Sequence, residues 1–195
     1  SSELVGDEGG LAPIGANTEV VLEALHELAS KAQNKFDIAL DSAANSFFAN
    51  GHYMLDTSKL SPSELLKTYE DWNNKFDLFS IEDPFDQNDW DTYVKFTQKM
   101  GQKIQIVGDD LFVTNVKRLQ NGIKLGACNS ILIKLNQIGT VTETIEAITM
   151  AKRAGYTAVV SHRSGETEDT FLADLAVALE TGQIKTGSMS RTDRI

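Results

Sequence analysis

Short apolar segments alternate along this chain with longer segments of helical period, and that alternation limits its possible folds more than any other feature. The short segments are apolar at nearly every position, which is typical of strands buried on both faces of a parallel sheet. Helices then cross over from each strand to the next, so the pattern predicts an α/β fold. The candidate strands are residues 37–40, 78–81, 104–107, 130–133, 157–160 and 183–184, with Leu4-Val5 as the end of a seventh.

Two of the segments between strands carry an apolar stripe at helical spacing, and we expect both stripes to face the core. The second segment begins after Ser61, and Ser61 and Glu64 have the three-residue spacing of a capping box. Before it, Gly51-His52 interrupts residues 47–55 and predicts a hairpin turn. The stripes are Val21, Leu22, Leu25, Leu28 and Ala29 in the first segment, and Leu65, Leu66, Tyr69 and Trp72 in the second.

Composition narrows the classes of function. The chain has 195 residues, a length that favours one domain, and its 28 acidic and 18 basic residues give a net charge of −10. That charge repels nucleic acid and anionic lipid. Cys128 is the only cysteine, which excludes an intrachain disulfide and favours a reducing compartment. Since no apolar run is long enough to span a bilayer and no signal-peptide pattern appears, we expect a cytoplasmic protein.

An ionisable residue follows nearly every predicted strand. One charged residue in a loop means little, because loops are generally polar. Ionisable residues after nearly all of the strands are more informative, since the carboxyl ends of the strands of a (β/α) barrel meet at one mouth, where active sites lie. We therefore expect a TIM-type barrel, incomplete here with about seven of its eight strands. The residues at its mouth are Glu8, Asp41, Glu82, Asp109, Lys134, His162 and Lys185.

Three of these residues are carboxylates from neighbouring strand ends. Asp41, Glu82 and Asp109 offer hard oxygen ligands, which suit Mg²⁺ and leave positions for water and substrate oxygens. Acids in such places can instead cap helices or pair with lysines. Asp83 and Asp110, each beside a candidate ligand, are better placed for that structural role. We therefore expect a magnesium site formed by the first three.

Two lysines end apolar strands. An ammonium group in such surroundings must find a charged partner or lose its proton more easily, which makes Lys134 a candidate base. Lys185 has a similar setting, and two neighbouring ammonium groups lower each other's pKa. The alternative for each is a lysine that extends to solvent at the barrel rim.

The segment 161–170 is typical of a strand, a polar loop and a helix start. Arg163 and Ser164 in this loop are suited to hold a phosphate group, so we expect a phosphorylated small-molecule substrate. A serine hydrolase is disfavoured, because Ser164 lacks the surrounding nucleophile elbow.

Six motifs, in order, resemble those of the enolase family, and together they span essentially the whole chain. The strongest is SHRSGETEDT at 161–170. The segment 187–191 is similar to bacterial members of the family. The other motifs are GDEGG at 6–10, SIEDPF at 80–85, GDD at 108–110, IKLNQIG at 133–139 and GQIKTG at 182–187.

The resemblance implies a lyase of glycolysis and gluconeogenesis that interconverts 2-phosphoglycerate and phosphoenolpyruvate. A Lys or His base with one or two Mg²⁺ ions is general to the enolase superfamily. Here Lys134 is implied to remove the C2 proton and Glu8 to help the C3 hydroxyl leave. The tighter of two Mg²⁺ ions would be held by Asp41, Glu82 and Asp109, and the substrate by His162, Arg163, Ser164 and Lys185.

The resemblance also implies parts beyond this chain. Family members carry an N-terminal domain and a first barrel strand ahead of Glu8, and they continue past Ile195. Residues 1–195 are therefore expected to be one truncated catalytic barrel domain, since an eight-stranded barrel takes about 250 residues. We expect the chain alone to be weakly active or inactive, and the full-length protein to be a homo-oligomer.

Two alternatives compete with this interpretation. Another lyase or racemase of the superfamily would abstract a proton from a different carboxylate substrate, but the phosphate-holding pair Arg163-Ser164 argues against it. A non-catalytic binding or oligomerisation segment, including display on a cell surface, has no support in the sequence. Magnesium-dependent activity distinguishes the enzymatic and non-enzymatic classes.

Overall fold

The computed structural model describes residues 3–190, in which helices and strands alternate along most of the chain. The strands are β1 (Glu3–Val5), β2 (Leu11–Pro13), β3 (Ile38–Asp41), β4 (Phe48–Ala49), β5 (His52–Leu55), β6 (Ser58–Leu60), β7 (Leu78–Glu82), β8 (Gln105–Gly108), β9 (Ser130–Ile133), β10 (Thr157–Ser161) and β11 (Ile184–Lys185). The α-helices are α1 (Thr18–Lys31), α2 (Pro62–Phe76), α3 (Trp90–Met100), α4 (Val116–Leu125), α5 (Leu135–Ile138), α6 (Val141–Arg153) and α7 (Phe171–Ala178), and a short 3-10 helix spans Ala44–Phe47.

Six parallel strands form the central sheet, in the order β11-β10-β9-β8-β7-β3. The sheet curls into half a barrel, with helices between successive strands, which confirms the predicted α/β class and the incomplete TIM-type barrel. Strands β3 and β11 are its two edges. Because the strands are parallel, their carboxyl ends lie on one side, where most of the predicted site residues lie.

The prediction of a seventh barrel strand is wrong. Leu4-Val5 belongs to β1, which pairs antiparallel with β2 in a separate two-stranded sheet. The chain reverses at once after Val5, and Gly9 occupies the left-handed region with φ 86°. The backbone groups of β1 therefore find their partners in a local hairpin rather than in the barrel, and the described sheet has six strands.

Helix α2 follows its prediction. The Ser61 side chain accepts the Glu64 N–H, and the Glu64 carboxylate accepts the Ser61 N–H at 2.8 Å, so the capping box is confirmed. Its apolar stripe is buried, and Tyr69 packs edge-to-face on Phe85 of the loop after β7. This packing fixes the strand that ends at Glu82.

The stripe of α1 is only partly buried, which corrects the expectation that it faces the core. Leu22 is buried, but Leu25 and Leu28 are 40% and 60% exposed. Helix α1 contacts α2 and β3, and these cover only part of its surface. Helical periodicity reports an amphipathic face, but it does not report whether a neighbour covers the whole of it.

The predicted hairpin is present, with its turn at Asn50-Gly51 and His52 as the first residue of β5. Both turn residues have positive φ, at 51° and 76°, as a two-residue type I′ turn requires. Strands β4, β5 and β6 form a small antiparallel sheet. The buried hydroxyl of Tyr53 accepts the Asp86 N–H at 2.8 Å and so links this sheet to the loop after β7.

Among the described residues, no helix combines the length and the apolar composition needed to cross a membrane.

Candidate active site

Three carboxylates lie at neighbouring strand ends. Asp41 and Glu82 are register partners at the last positions of β3 and β7. Glu82 pairs in turn with Val107 of β8, and Asp109 follows that strand directly. The parallel register therefore places the three acids side by side, as the sequence predicted.

Lys185 joins two of these acids from the opposite edge of the sheet. Its Nζ lies 2.7 Å from Asp41 Oδ2 and 3.0 Å from Glu82 Oε1. Burial alone would lower the pKa of Lys185, but the charges of Glu82 and Asp41 outweigh it and raise the pKa above its ordinary value. The expectation of a lowered pKa is therefore wrong, because the nearest charged partners of this ammonium are carboxylates.

Lys134 pairs with the third acid. Its Nζ lies 2.5 Å from Asp109 Oδ2, and both side chains are largely buried. The backbone N–H of Lys134 donates to Thr114 Oγ1 at 2.9 Å, which holds the residue at the junction of β9 and α5. Of the two outcomes open to an ammonium in an apolar strand, this lysine has found a charged partner.

The acids are held where ionisation is costly. Burial, with the charge of Asp41 beside it, raises the pKa of Glu82 to about 8 although Lys185 opposes the shift. Burial also raises the pKa of Asp109, and the nearby Lys134 only partly offsets that effect. Such carboxyls favour an arriving cation, because its positive charge replaces the stabilisation by water that burial has removed.

The donor set fits Mg²⁺. Asp109 Oδ1 is buried and accepts no hydrogen bond from any residue that the structure describes. It is an oxygen of the hard type that Mg²⁺ prefers, and Asp41 and Glu82 offer more of the same type. Among the described residues, the acids whose carboxylate oxygens all lie within 4.8 Å of one another are Asp83, Asp109 and Asp110, rather than the predicted set of Asp41, Glu82 and Asp109. Both oxygens of Asp83, however, accept backbone N–H groups, so Asp83 is not well placed as a ligand.

A second group of predicted residues meets beside the lysines. The Ser164 hydroxyl donates to Glu8 Oε1 at 3.0 Å, and His162 Nε2 lies 3.5 Å from Glu8 Oε2. The Gly187 N–H donates to His162 Nδ1 at 3.0 Å, which places the proton of a neutral ring on Nε2, facing Glu8. The His162 N–H donates to the Lys185 carbonyl at 2.9 Å, so the two groups share a boundary.

Arg163 is exposed in the loop after β10, and within the described part of the chain its side chain takes no part in the contacts that join the other predicted residues. A cavity of about 330 Å³ lies between this loop and α5, but its lining includes Glu166 and Asp169 rather than Arg163. A larger cavity of about 670 Å³ lies between α4 and α6 and includes none of the predicted site residues. We assign the site by its charged groups rather than by cavity size.

The family model described as the enolase C-terminal TIM barrel domain matches residues 1–195. The chain belongs to this enolase family. The match extends over every strand end that carries a predicted site residue, so the geometry above is that of an enolase-family barrel. Membership indicates lyase chemistry of the enolase superfamily and a small-molecule substrate.

Sequence reasoning missed two residues of this enolase-family site. Asp83 neither caps a helix nor pairs with a lysine, and its carboxylate accepts the N–H groups of Asp109 and Asp110. Asn45 donates to Asp110 Oδ2 at 2.7 Å and accepts the Gln87 N–H at 2.9 Å. Both residues could have been found from their positions in the sequence, since Asp83 directly follows Glu82 and Asn45 lies four residues after Asp41.

Proposed function

We propose that this chain is the catalytic barrel region of a cytoplasmic lyase that interconverts 2-phosphoglycerate and phosphoenolpyruvate. One observation carries the proposal: three carboxylates and two lysines converge at the carboxyl ends of five strands in a chain that matches the enolase family throughout. Carboxylates paired with ammonium groups suit a reaction in which a substrate carboxylate gains negative charge.

Asp41, Glu82 and Asp109 are the residues that would hold Mg²⁺. When bound, the cation would supply positive charge beside the substrate carboxylate. This charge makes the proton on the neighbouring carbon acidic enough to be removed. Asp109 contributes Oδ1, which is not used in the pair with Lys134 and accepts no hydrogen bond from residues 3–190.

Lys134 is the proposed base. The ammonium first gives up its own proton to solvent, and the neutral Nζ then accepts the proton from C2 while the electron pair of that C–H bond moves toward the carboxylate. Lys185, whose raised pKa keeps it protonated, presents a fixed positive charge to the same region. The two lysines then differ in role because of their partners: Lys134 contacts one carboxylate, whereas Lys185 is held between two.

Glu8 and His162 are proposed to complete the elimination. As the C3–O bond breaks, its electron pair leaves with the oxygen, and a proton from this pair converts the departing hydroxide to water. The Nε2–H of His162 faces Glu8, so the pair can share the proton that is transferred. Ser164 orients the same carboxylate, and Arg163 is proposed to bind the phosphate from its exposed position.

Formation of phosphoenolpyruvate from 2-phosphoglycerate, followed by absorbance with and without Mg²⁺, tests the proposal. It is run on this chain, which we expect to be weakly active or inactive, and on the longer homo-oligomeric protein expected to contain it. Lys134→Ala should abolish magnesium-dependent turnover. Lys103→Ala is the matched control, because Lys103 is exposed and precedes β8, at the opposite end of the strand. Turnover in the Lys134→Ala protein equal to that of the control would contradict the assigned base.

A further inference from the structure

The Asp83 carboxylate is buried and is used entirely inside the protein. Its Oδ1 accepts the Asp109 N–H at 2.8 Å, and its Oδ2 accepts the Asp110 N–H at 2.7 Å. The Tyr93 hydroxyl, also buried, shares its single proton between the Phe85 carbonyl at 3.0 Å and Asp83 Oδ1 at 3.3 Å. Asp83 therefore fixes the backbone at the point where β8 ends.

The backbone of Asp83 is held as firmly as its side chain. Its φ of 42° lies in the left-handed region, which a non-glycine residue adopts at some cost. Two hydrogen bonds hold it there: the Asp83 N–H donates to the Val107 carbonyl at 2.9 Å, and the Ala44 N–H donates to the Asp83 carbonyl at 3.1 Å. The residue thus connects the end of β7 with the segments after β3 and β8.

These contacts determine where the Asp109 carboxylate can point. Asp83 holds the Asp109 N–H, and Lys134 holds Asp109 Oδ2, so only Oδ1 is left to face a ligand. Because both of its oxygens accept backbone N–H groups, Asp83 is suited to act on a cation through Asp109 rather than by direct contact.

We infer that Asp83 is a positioning residue, which holds the backbone after β8 so that Asp109 presents Oδ1 to a divalent cation. The inference rests on the proposed cation site and adds to it a residue that neither binds the cation nor touches the substrate. It also gives a purpose to the left-handed conformation of Asp83, because in that conformation the residue bonds to segments at the ends of β3 and β8 while it follows β7.

The test compares two acids of one cluster with Mn²⁺ as the probe. Asp83→Asn replaces one acceptor oxygen by an NH₂ group, so either Asp109 N–H or Asp110 N–H loses its partner. Loss of such a supporting contact is expected to weaken Mn²⁺ binding roughly 10- to 100-fold. Asp110→Asn removes the same charge, but its side chain bonds to Asn45 rather than to the backbone of Asp109. It should weaken binding by less than about threefold, since only long-range charge is lost.

Mn²⁺ binding is measured by the loss of the free-ion electron paramagnetic resonance signal, and the exchange rates of the Asp109 and Asp110 amides by nuclear magnetic resonance. Asp83→Asn should speed exchange at these two amides, whereas Asp110→Asn should not change the Asp109 amide. Equal losses of affinity in the two variants, or an Asp83→Asn protein that binds as well as the parent, would overturn the inference alone. A parent protein that does not bind Mn²⁺ would overturn the cation site and this inference with it.

A folding control keeps the result interpretable. Ile148→Val removes a buried methyl group of α6, far in sequence from the cluster, and should lower stability without changing Mn²⁺ affinity. If Asp83→Asn does not fold, Tyr93→Phe replaces it, because the ring still packs and only the hydroxyl that bonds Asp83 is lost. That variant should bind Mn²⁺ at least about twofold more weakly, and unchanged affinity would overturn the inference.

Discussion

Lys185 Nζ lies 2.7 Å from Asp41 Oδ2, although the two residues end the strands at opposite edges of the six-stranded sheet and are 144 residues apart. The same ammonium also reaches Glu82. The curl of the sheet therefore brings its two edges close enough at the mouth for one side chain to connect them. The charged cluster forms among the described strands themselves.

Removing this connection should destabilise the fold. Lys185→Met keeps most of the apolar stem but leaves the carboxyl groups of Asp41 and Glu82 without their shared positive partner. Because the pKa of Glu82 is about 8, the free energy of unfolding should fall by about 2 kcal/mol only above that pH, where the buried Glu82 is a carboxylate without a cation. Urea denaturation at several pH values gives the loss, which should shrink towards and below neutral pH, where Glu82 is protonated.

The chain offers a matched control for that variant. Lys75 also lies between two carboxylates, those of Glu19 and Glu23, but all three side chains are exposed. Lys75→Met should therefore leave stability nearly unchanged, because exposed pairs contribute little. If both variants lose the same stability, the Lys185 cluster is no more important to the fold than a surface ion pair.

The raised pKa of Glu82 predicts how stability depends on pH. The folded-state pKa of about 8 lies above the ordinary value near 4.3, so the folded protein binds this proton more tightly than the unfolded chain. The contribution to stability is therefore complete below about pH 4 and is lost as pH rises towards 8. Glu82→Gln should reduce this decline, measured by denaturation at several pH values. An equally steep decline in the variant would show that Glu82 is not its source.

The same proton should be linked to cation binding. A cation that binds Glu82 must displace its proton, so Mg²⁺ or Mn²⁺ affinity should rise between about pH 6 and 8, as the raised pKa requires. Calorimetry in two buffers of different ionisation enthalpy measures the protons released. Release should be clear in the parent at pH 7 and smaller in Glu82→Gln. Binding without proton release would mean that the cation does not contact Glu82.

The hydrogen bond from Gly187 predicts the tautomer of His162. Because the Gly187 N–H donates to Nδ1, the neutral ring should carry its proton on Nε2, towards Glu8. Nitrogen chemical shifts of the imidazole distinguish the two forms. A ring protonated on Nδ1 would contradict the proposed proton transfer between His162 and Glu8.

The sequence predicted those parts of the structure that depend on local pattern. The six barrel strands and the capping box of Ser61 are confirmed. Both could be predicted because strand burial and helix capping depend on residues that are close together in the sequence. The positions of most residues at the mouth could be predicted for the same reason, since each ends its strand or directly follows it. Glu8 is the exception, because it lies in the hairpin between β1 and β2 rather than after a barrel strand. Parallel pairing then brings Asp41, Glu82 and Asp109 together without further information.

What the sequence could not predict depends on which segments come into contact, whether near or far along the chain. The strand at Leu4-Val5 pairs with a local partner, which its composition does not distinguish from a barrel strand. The pKa of Lys185 rises because of acids on other strands, which no local pattern records. Asp83 was assigned to capping or lysine pairing, because its left-handed backbone and its contacts with the segment after β8 appear only in three dimensions.

The most direct test of the cation site is a crystal structure of the protein grown with Mn²⁺, with the cation located by its anomalous scattering. We predict a peak at the mouth, bound by Asp109 Oδ1 together with carboxylate oxygens of Asp41 and Glu82. A peak bound by Asp83 or Asp110 instead, or the absence of any peak at the strand ends, would contradict it.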